Sequence, residues 1–228
     1  MTCLDTYDPG DFYDELFLAP GQPRPEAAAL IERIQALPLE ELLKRQQVAQ
    51  NMLFKLGVTF NVYSDNEGTE RIFPFDVIPR FVPYSEWEFL EAGLKQRIAA
   101  LNCFLDDIYN DQNIIKDGVI PATAIASASG YLEPCVGLKP PGGIWCHITG
   151  TDLVKDRDGS WYVLEDNLRC PSGVSYVLEN RRVMKSSFPS FFEALDIQPV
   201  DDYASQLLES LLNLAPPNLS DPCVVVLT

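Results

Sequence analysis

Basic residues are scarce in this sequence, which has 17 lysines and arginines against 33 aspartates and glutamates and a formal net charge of −16. Such a chain repels phosphate backbones and anionic lipids, which excludes nucleic acids and membrane surfaces as expected partners. The sequence also lacks an apolar run of the roughly 20 residues that a membrane span requires, and its acidic start is unlike a signal peptide. These absences predict a cytoplasmic location and still allow a small anion, because a bound cation can reverse the local potential.

Closely spaced cysteines are missing as well. The six cysteines are scattered without a C-x-x-C pair, in a chain long enough to fold without disulfides, so reduced thiols are expected. Cys146, Cys170 and the single histidine, His147, form an alternative set of zinc ligands. Structural zinc sites usually contain closely spaced pairs, so we favour cysteines that act as small buried apolar side chains.

Helix and strand patterns follow an irregular, aromatic-rich start. Prolines and a terminal glycine bound two predicted helices at residues 25–36 and 38–57, which we expect to form a helical hairpin. Alternating apolar residues predict a β-hairpin from residues 58–63 and 71–73, joined by the loop 64–68. The first quarter of the chain is therefore predicted to be a helical segment that leads into a sheet.

A long amphipathic helix is predicted from Ser85 onward, because Ser85 and Glu88 form a capping box before a helical apolar period. We expect its apolar stripe to be buried core and not a ligand-binding surface. The stripe consists of Trp87, Leu90, Leu94, Ile98, Leu101, Leu105 and Ile108.

The end of the chain contains a predicted helix at residues 203–214 and an apolar run at residues 224–228. A short apolar run is typical of a strand that is buried on both faces and needs neighbouring strands. Either this strand joins a sheet formed by the preceding residues, or the chain is the front portion of a longer polypeptide. We favour the second interpretation.

Residues 144–167 contain two strand-like runs around Asp158 and Gly159, a dipeptide that favours a tight hairpin turn. A two-residue turn places Asp152 opposite Glu165 and Gly150 opposite Asn167. A four-residue turn shifts the pairing by two positions, so that Asp152 lies diagonal to Glu165 on the same face. Both turns predict Asp152, Glu165 and Asn167 on one face.

Two carboxylates across a β-ladder repel one another unless a cation lies between them. With the amide oxygen of Asn167 they form a hard oxygen donor set, so Asp152, Glu165 and Asn167 are predicted ligands of Mg²⁺. The alternatives are a surface turn with solvated carboxylates and a simple calcium-binding module. An EF-hand loop is excluded because it would begin at Val154, which has no side-chain oxygen.

A candidate phosphate pocket follows the hairpin in sequence. Arg169 can form a forked bond to an anion, and Ser172 is a candidate N-cap of a helix that starts after Gly173. The amide groups at a helix N-terminus bind phosphate. The alternatives are a surface salt bridge for Arg169 and an ordinary cap for Ser172.

An aspartate followed thirteen residues later by Glu-x-Asn and then by a Pro-containing Gly turn resembles the metal-binding end of ATP-grasp ligases. The segments YDPGDFYDELF, FPFDVIPR, DGVIP and TDLVKDRDGSWYVLEDNLRCPSGVSYVLENR resemble circularly permuted ATP-grasp proteins related to glutathionylspermidine synthase. The resemblance implies an α+β fold, with an ATP-grasp-like antiparallel sheet, packed helices and an N-terminal helical segment.

The resemblance also implies how the chain is divided. Residues 1–57 would form an arm and helical hairpin, and residues 58–185 the metal-binding half of the ATP-grasp domain. Residues 186–228 would be a helical connection and the first strand of a following domain. The chain would then correspond to the N-terminal half of its relatives.

The function implied is that of an ATP- and Mg²⁺-dependent carboxylate–amine ligase, which joins a small-molecule or peptide carboxylate to an amine through an acyl phosphate. Asp152, Glu165 and Asn167 would bind the metal, and Arg169 would stabilise a phosphate or acyl-phosphate oxygen. Arg169, Ser172 and Gly173 would contact ATP. Arg80 is a weaker candidate for the substrate carboxylate, with a surface salt bridge as its alternative.

The alternative from another class is a noncatalytic fragment or interaction module. Such a chain would need a partner, which is either a second copy or a missing C-terminal half.

Overall fold

The chain divides into two groups of segments that alternate along the sequence. The structure is a computed structural model that describes residue 4 and residues 7–61, 70–169, 171–216 and 218–226. The first unit consists of Met1–Tyr84, Leu153–Leu164 and Ser172–Asp201. The second unit consists of Ser85–Asp152, Glu165–Pro171 and Asp202–Thr228. The three-part linear division predicted above stays a prediction.

Short paired strands and longer helices make up the described part of the chain. The strands are β1 (Phe17–Ala19), β2 (Gln22–Pro23), β3 (Thr59–Asn61), β4 (Glu70–Ile72), β5 (Gly150–Lys155) and β6 (Trp161–Asn167). The helices are α1 (Ala28–Gln35), α2 (Leu39–Lys55), α3 (Tyr84–Tyr109), α4 (Asn113–Lys116), α5 (Ala122–Ala126), α6 (Val174–Ser187), α7 (Pro189–Ala194) and α8 (Tyr203–Leu212). The described strands pair as β1–β2, β3–β4 and β5–β6.

The first unit is built around an apolar core that α1 and α2 supply from one face each. Leu30, Ile31 and Ile34 are buried on α1, and Leu42 and Leu53 are buried on α2. A helical turn of Pro25–Ala27 precedes α1, and α2 is followed by Gly57 at φ 73°, where glycine is favoured. The two predicted helices are confirmed. Val183, Phe188 and Phe191 complete the core.

Two small hairpins flank these helices. The predicted pairing after α2 is confirmed by antiparallel β3 and β4, in which Thr59 faces Ile72. The predicted loop 64–68 lies outside the described residues. The irregular start contains an unpredicted hairpin, β1–β2, whose first strand is fixed because the Asp14 carboxylate accepts bonds from the amides of Leu16 (2.8 Å) and Phe17 (2.6 Å).

The long helix α3 belongs to the second unit except for its first residue, Tyr84. It begins at Tyr84, so Ser85 lies inside the first turn and the predicted capping box is wrong. Burial of the apolar stripe is confirmed at Leu90 and Ile108, whereas Trp87 is 50% exposed and is not core. The rest of the stripe is half-buried.

The C-terminal half of α3 fixes the segment that leads into β5. The side-chain oxygen of Asn102 accepts bonds from the amides of Trp145 (2.7 Å) and Cys146 (3.0 Å). The indole N–H of Trp145 donates to Asp106 (3.2 Å), and its ring stacks on Tyr109 with centroids 4.9 Å apart. These contacts fix the segment before β5 to the helix.

The last predicted strand is not formed in the described part of the C-terminus. Residues 224–226 have no regular structure, and Val225 and Val226 are 71% and 84% exposed. Residues 227 and 228 lie outside the described residues. A buried strand needs a neighbour, and the described strands are all paired elsewhere. The helix predicted at residues 203–214 is confirmed by α8.

The fold class is α+β, as predicted, because helices dominate and small sheets accompany them. Each sheet among the described residues has two strands, so the broader antiparallel sheet of an ATP-grasp domain stays a prediction. None of the described helices combines the length and apolarity required to cross a membrane.

Candidate metal centre

The candidate ligands lie on the hairpin of β5 and β6, whose strands pass from one unit to the other. The part Leu153–Leu164, called the hairpin tip, belongs to the first unit. Residues 150–152 and 165–167, called the hairpin base, belong to the second unit. All three predicted metal ligands are in the base.

The hairpin tip closes in a three-residue loop. The amide of Gly159 donates to the carbonyl oxygen of Asp156 (2.8 Å), and the amide of Asp156 donates to the carbonyl oxygen of Ser160 (2.9 Å). Gly159 has φ 85°, which glycine adopts without strain. This is a type I turn followed by a left-handed residue, so the predicted two- and four-residue turns are both wrong. An uninterrupted ladder from this turn would put Asp152 and Glu165 on opposite faces.

The base of the hairpin has a different register. The hydroxyl of Thr151 donates to the Asp166 carboxylate (3.0 Å), so these two residues share a face. A Cβ built on Gly150 would lie 3.7 Å from Cβ of Asn167, which puts this pair on the other face. Because side chains alternate along a strand, Asp152 and Glu165 lie on the face of Gly150 and Asn167. The predicted ligands are therefore brought to one face, called the outer face.

One extra residue in β6 reconciles the two registers. Trp161 and Val163 are half-buried and alternate with exposed Tyr162 and Leu164, but Glu165 is exposed directly after Leu164. Two consecutive exposed residues indicate a β-bulge at Leu164 and Glu165. The bulge turns Glu165 back to the outer face, which the turn alone would not do.

The residue between the two predicted ligands of β6 is neutralised on the opposite face. The guanidinium of Arg97 on α3 donates to one oxygen of Asp166 from Nε (2.8 Å) and from a terminal nitrogen (2.7 Å). The hydrogen bond from Arg97 lowers the pKa of Asp166, and the bond from Thr151 acts in the same direction. Sequence reasoning missed Arg97 and Asp166. Strand alternation was the available signal, because an acid on an inner face needs a partner.

Among the described residues, the carboxylates of the outer face have no such partner. Asp152, Glu165 and Asn167 are exposed, and the Asn167 amide donates to Glu165 (3.1 Å). Within residues 70–169 and the other described ranges, no lysine or arginine pairs with Asp152 or Glu165. Two uncompensated carboxylates and an amide oxygen fit Mg²⁺, which commonly binds one or two carboxylates and completes its shell with water and phosphate.

Larger metal-binding clusters are not found in the part of the chain that the structure describes. The described residues contain no group of three or more His, Cys, Asp and Glu side chains that could hold a metal ion. The predicted Mg²⁺ set has only two such residues, so its role as a ligand set stays a prediction. For the zinc alternative, Cys146 is half-buried, His147 is exposed and Cys170 lies outside the described residues.

The described cysteines have free thiols, as predicted. These are Cys103, Cys135, Cys146 and Cys223. The cysteines were also predicted to be buried, and this prediction is wrong for Cys103 and Cys223, which are exposed.

The candidate phosphate-binding residues are divided between the units. Arg169, in the second unit, is exposed, and no described acidic side chain pairs with it. Ser172 and Gly173 belong to the first unit. The N-cap of α6 is Gly173, at φ 105°, so the predicted capping role of Ser172 is wrong. Phosphate binding by Arg169, Ser172 and Gly173 stays a prediction.

Arg80 has a partner inside the first unit. Its guanidinium donates to Glu15 through Nε (3.0 Å) and a terminal nitrogen, and this bond raises the pKa of Arg80. The alternative interpretation of Arg80 as a salt-bridge residue is confirmed.

Comparison with known proteins identifies the family. The model of the family "Circularly permuted ATP-grasp type 2" matches residues 79–228, which include every residue of the candidate metal centre. An uncharacterized protein of Synechocystis sp. is 66% identical over 225 residues, which cover 99% of this chain and 47% of that protein. An uncharacterized protein of Mycobacterium tuberculosis is 44% identical over 226 residues, covering 97% of this chain and 40% of that protein.

A more distant relative has a functional name. A Frankia alni protein, provisionally named a glutamate–cysteine ligase, is 36% identical over 228 residues, which cover 99% of this chain and 26% of that protein. The chain thus spans less than half the length of these curated relatives. With its family model matched over residues 79–228, this chain belongs to the circularly permuted ATP-grasp type 2 family.

Proposed function

We propose that this chain provides the Mg²⁺-binding hairpin of an ATP-dependent carboxylate–amine ligase. The observation that carries the proposal is the arrangement of the hairpin base. Asp152, Glu165 and Asn167 share the outer face without a described basic partner, while Asp166 is neutralised on the other face. The family match supports the nucleotide and the ligase class, and the provisional name of the Frankia relative supports amide-bond formation.

Each residue of the hairpin base has a definite task in this proposal. Asp152 and Glu165 would each offer a carboxylate oxygen to the cation, and Asn167 an amide oxygen. Bound Mg²⁺ supplies neutralisation of the phosphate charge during phosphoryl transfer. The bond from Asn167 to Glu165 limits the rotation of both side chains, which favours a preformed ligand set.

Anionic groups would be stabilised by residues after the hairpin. Arg169, which is exposed, would donate to an oxygen of a phosphate or acyl phosphate. Ser172 and the first turn of α6 at Gly173 would offer a hydroxyl and amide groups to a phosphate of ATP. Arg169 belongs to the second unit and α6 to the first, so neither role depends on the other.

The proposed reaction has two steps. An oxygen of the carboxylate substrate attacks the γ-phosphorus of ATP, the bond to the bridging oxygen breaks, and ADP leaves. The amine nitrogen then attacks the acyl carbon, inorganic phosphate departs, and the nitrogen loses a proton to leave the amide. The carboxylate belongs to a small molecule or a peptide, and the relation to glutathionylspermidine synthase stays a prediction.

Calorimetric titration of the full-length protein with ATP and Mg²⁺ tests this proposal. We expect saturable binding that Asp152→Asn or Glu165→Gln weakens on the order of 100-fold, because each removes one of two anionic ligands. Glu133→Gln is a matched control, since Glu133 is an exposed acid of the second unit without a described side-chain contact.

Other results would contradict the ligase. A folded full-length protein that releases no heat with Mg²⁺-ATP would favour the noncatalytic interaction module. Binding of Ca²⁺ without nucleotide, at an affinity that Mg²⁺-ATP does not match, would favour a simple calcium site.

A further inference from the structure

The hairpin base is attached to α3 through the side chain of Asp166. Arg97 approaches Asp166 with two nitrogens, at 2.8 and 2.7 Å from the same carboxylate oxygen. The other carboxylate oxygen accepts the Thr151 hydroxyl at 3.0 Å. The Asp166 side chain is 9% exposed, whereas Glu165 and Asn167 on either side of it are exposed. Asp166 is thus fixed from both the helix and the neighbouring strand.

This attachment matters because β6 contains a bulge directly before it. A bulge is one extra residue, and its position decides which side chains of the following strand face outward. If the extra residue came after Asn167 instead of before Asp166, Asp166 would turn to the outer face and Glu165 and Asn167 would turn inward. The bonds of Asp166 to Arg97 and Thr151 require Asp166 to share a face with Thr151, as it does in the observed register.

We propose that Arg97 is a positioning residue for the cation site, which acts through Asp166 to keep Glu165 and Asn167 on the outer face. The proposal rests on the proposed function, because it assumes that the outer face binds a divalent cation. Arg97 itself lies on the opposite side of the strand from the proposed cation site, where it pairs with Asp166. Mutation of a residue that orients metal ligands without touching the metal commonly lowers metal affinity by roughly 10- to 100-fold.

Electrostatics alone predicts the opposite effect of removing Arg97. A guanidinium near a cation site repels the cation, so loss of its charge would strengthen cation binding. Loss of a positioning contact would instead weaken binding, because Glu165 would leave the outer face in part of the population. The sign of the change therefore separates the two roles.

The test is a titration of the full-length protein with Mn²⁺ in the presence of ATP, in which electron paramagnetic resonance measures free Mn²⁺. For Arg97→Gln we expect a dissociation constant about 10-fold higher than that of the wild type. Arg97→Lys retains the charge and one donor, so we expect it to recover part of the affinity. Lys95→Gln is the matched control with unchanged affinity, since Lys95 pairs on the same helix with Glu91 (2.8 Å).

A second variant covers the case in which Arg97→Gln does not fold. Thr151→Val removes only the hydroxyl that donates to Asp166, and we expect a smaller loss of Mn²⁺ affinity in the same direction. Thermal unfolding of each variant is measured in parallel, because a merely structural role would lower the melting temperature without changing the affinity of the folded protein.

The outcomes separate this inference from the function on which it rests. Unchanged or tighter Mn²⁺ binding by folded Arg97→Gln and Thr151→Val, with normal binding by the wild type, would overturn the positioning role alone. A wild-type protein that does not bind Mn²⁺ with ATP would overturn the proposed function and this inference together.

Discussion

The two units differ in the apolar core that their described residues form. In the first unit, Leu30, Ile34, Leu53 and Val183 are at most 1% exposed and belong to one apolar cluster. In the described part of the second unit, the buried apolar side chains are Leu90, Ile108 and Tyr109, which are 7%, 5% and 7% exposed. With fewer buried apolar side chains, the second unit also contains stacked rings, those of Tyr109, Tyr131 and Trp145.

This difference bears on the candidate metal centre, whose ligands all lie in the second unit. An apolar core tolerates small displacements, whereas a hydrogen bond or a salt bridge weakens steeply with distance and angle. Arg97 on α3 fixes the hairpin base through Asp166. On the same helix, Asn102 and Asp106 fix the segment before β5 through Trp145. Single substitutions of these polar residues should therefore weaken cation binding at the candidate metal centre. Single substitutions in the apolar core should mainly lower the stability of the first unit.

The largest expected effect comes from a cavity in the core of the first unit. Leu53 on α2 is 0% exposed, and Leu53→Ala should lower the free energy of unfolding by about 2–5 kcal/mol. Phe54→Ala is the control, because Phe54 is 52% exposed on the same helix and should cost about 1 kcal/mol or less. Urea denaturation measures both, and equal losses would break the contrast between a packed core and its surface.

An intermediate effect is expected from filling the close approach at the hairpin base. A Cβ on Gly150 would lie 3.0 Å from Cβ of Pro171, whose ring has little freedom to move. Gly150→Ala should therefore cost about 1–3 kcal/mol of unfolding free energy, as overpacking usually does. It should also weaken Mn²⁺ binding, because Asn167 is the other neighbour of the new methyl group.

Gly93→Ala serves as the control for that substitution. Gly93 lies in α3, and a methyl group added to it would have no neighbouring atom within 4 Å, so alanine should stabilise the helix by about 0.5–1 kcal/mol. If both glycine substitutions stabilised the protein, the steric explanation for Gly150 would be wrong.

The smallest effect is expected at the surface of the first unit. The bond from the Tyr7 hydroxyl to Asp14 (2.5 Å) raises the pKa of Tyr7 from its usual 10.0 to about 12. Folding then favours the protonated phenol, so this contribution is complete below pH 10 and is lost as the pH rises toward 12.

Denaturation of the wild type and Tyr7→Phe at several alkaline pH values measures this contribution. The stability difference between the two proteins should shrink across that window. A difference that stays constant would show that Tyr7 does not titrate with the expected shift.

Local sequence signals predicted most of the helices. Proline and glycine bounded α1 and α2, and apolar periodicity predicted α3 and α8, because each signal acts over one or two turns. The capping box at Ser85 failed, since the same residues also fit a helix that starts one residue earlier. The paired strands β1 and β2 were missed because the backbone bonds to Asp14 carry no periodic pattern.

The face of the candidate ligands was predicted correctly although the turn was not. The dipeptide Asp158-Gly159 indicated a hairpin, but it does not distinguish a two-residue from a three-residue loop. The error in the turn is offset by the bulge at Leu164 and Glu165, which has no glycine to mark it. Arg97 was missed because it reaches Asp166 from 69 positions away in the sequence.

Anomalous diffraction from a crystal of the full-length protein with Mn²⁺ and ATP tests the central claim most directly. We expect a manganese peak on the outer face, within about 2.0–2.4 Å of oxygens from Asp152, Glu165 and Asn167. A peak bound by other residues, or bound nucleotide and metal with Glu165 turned away from both, would contradict the proposed site.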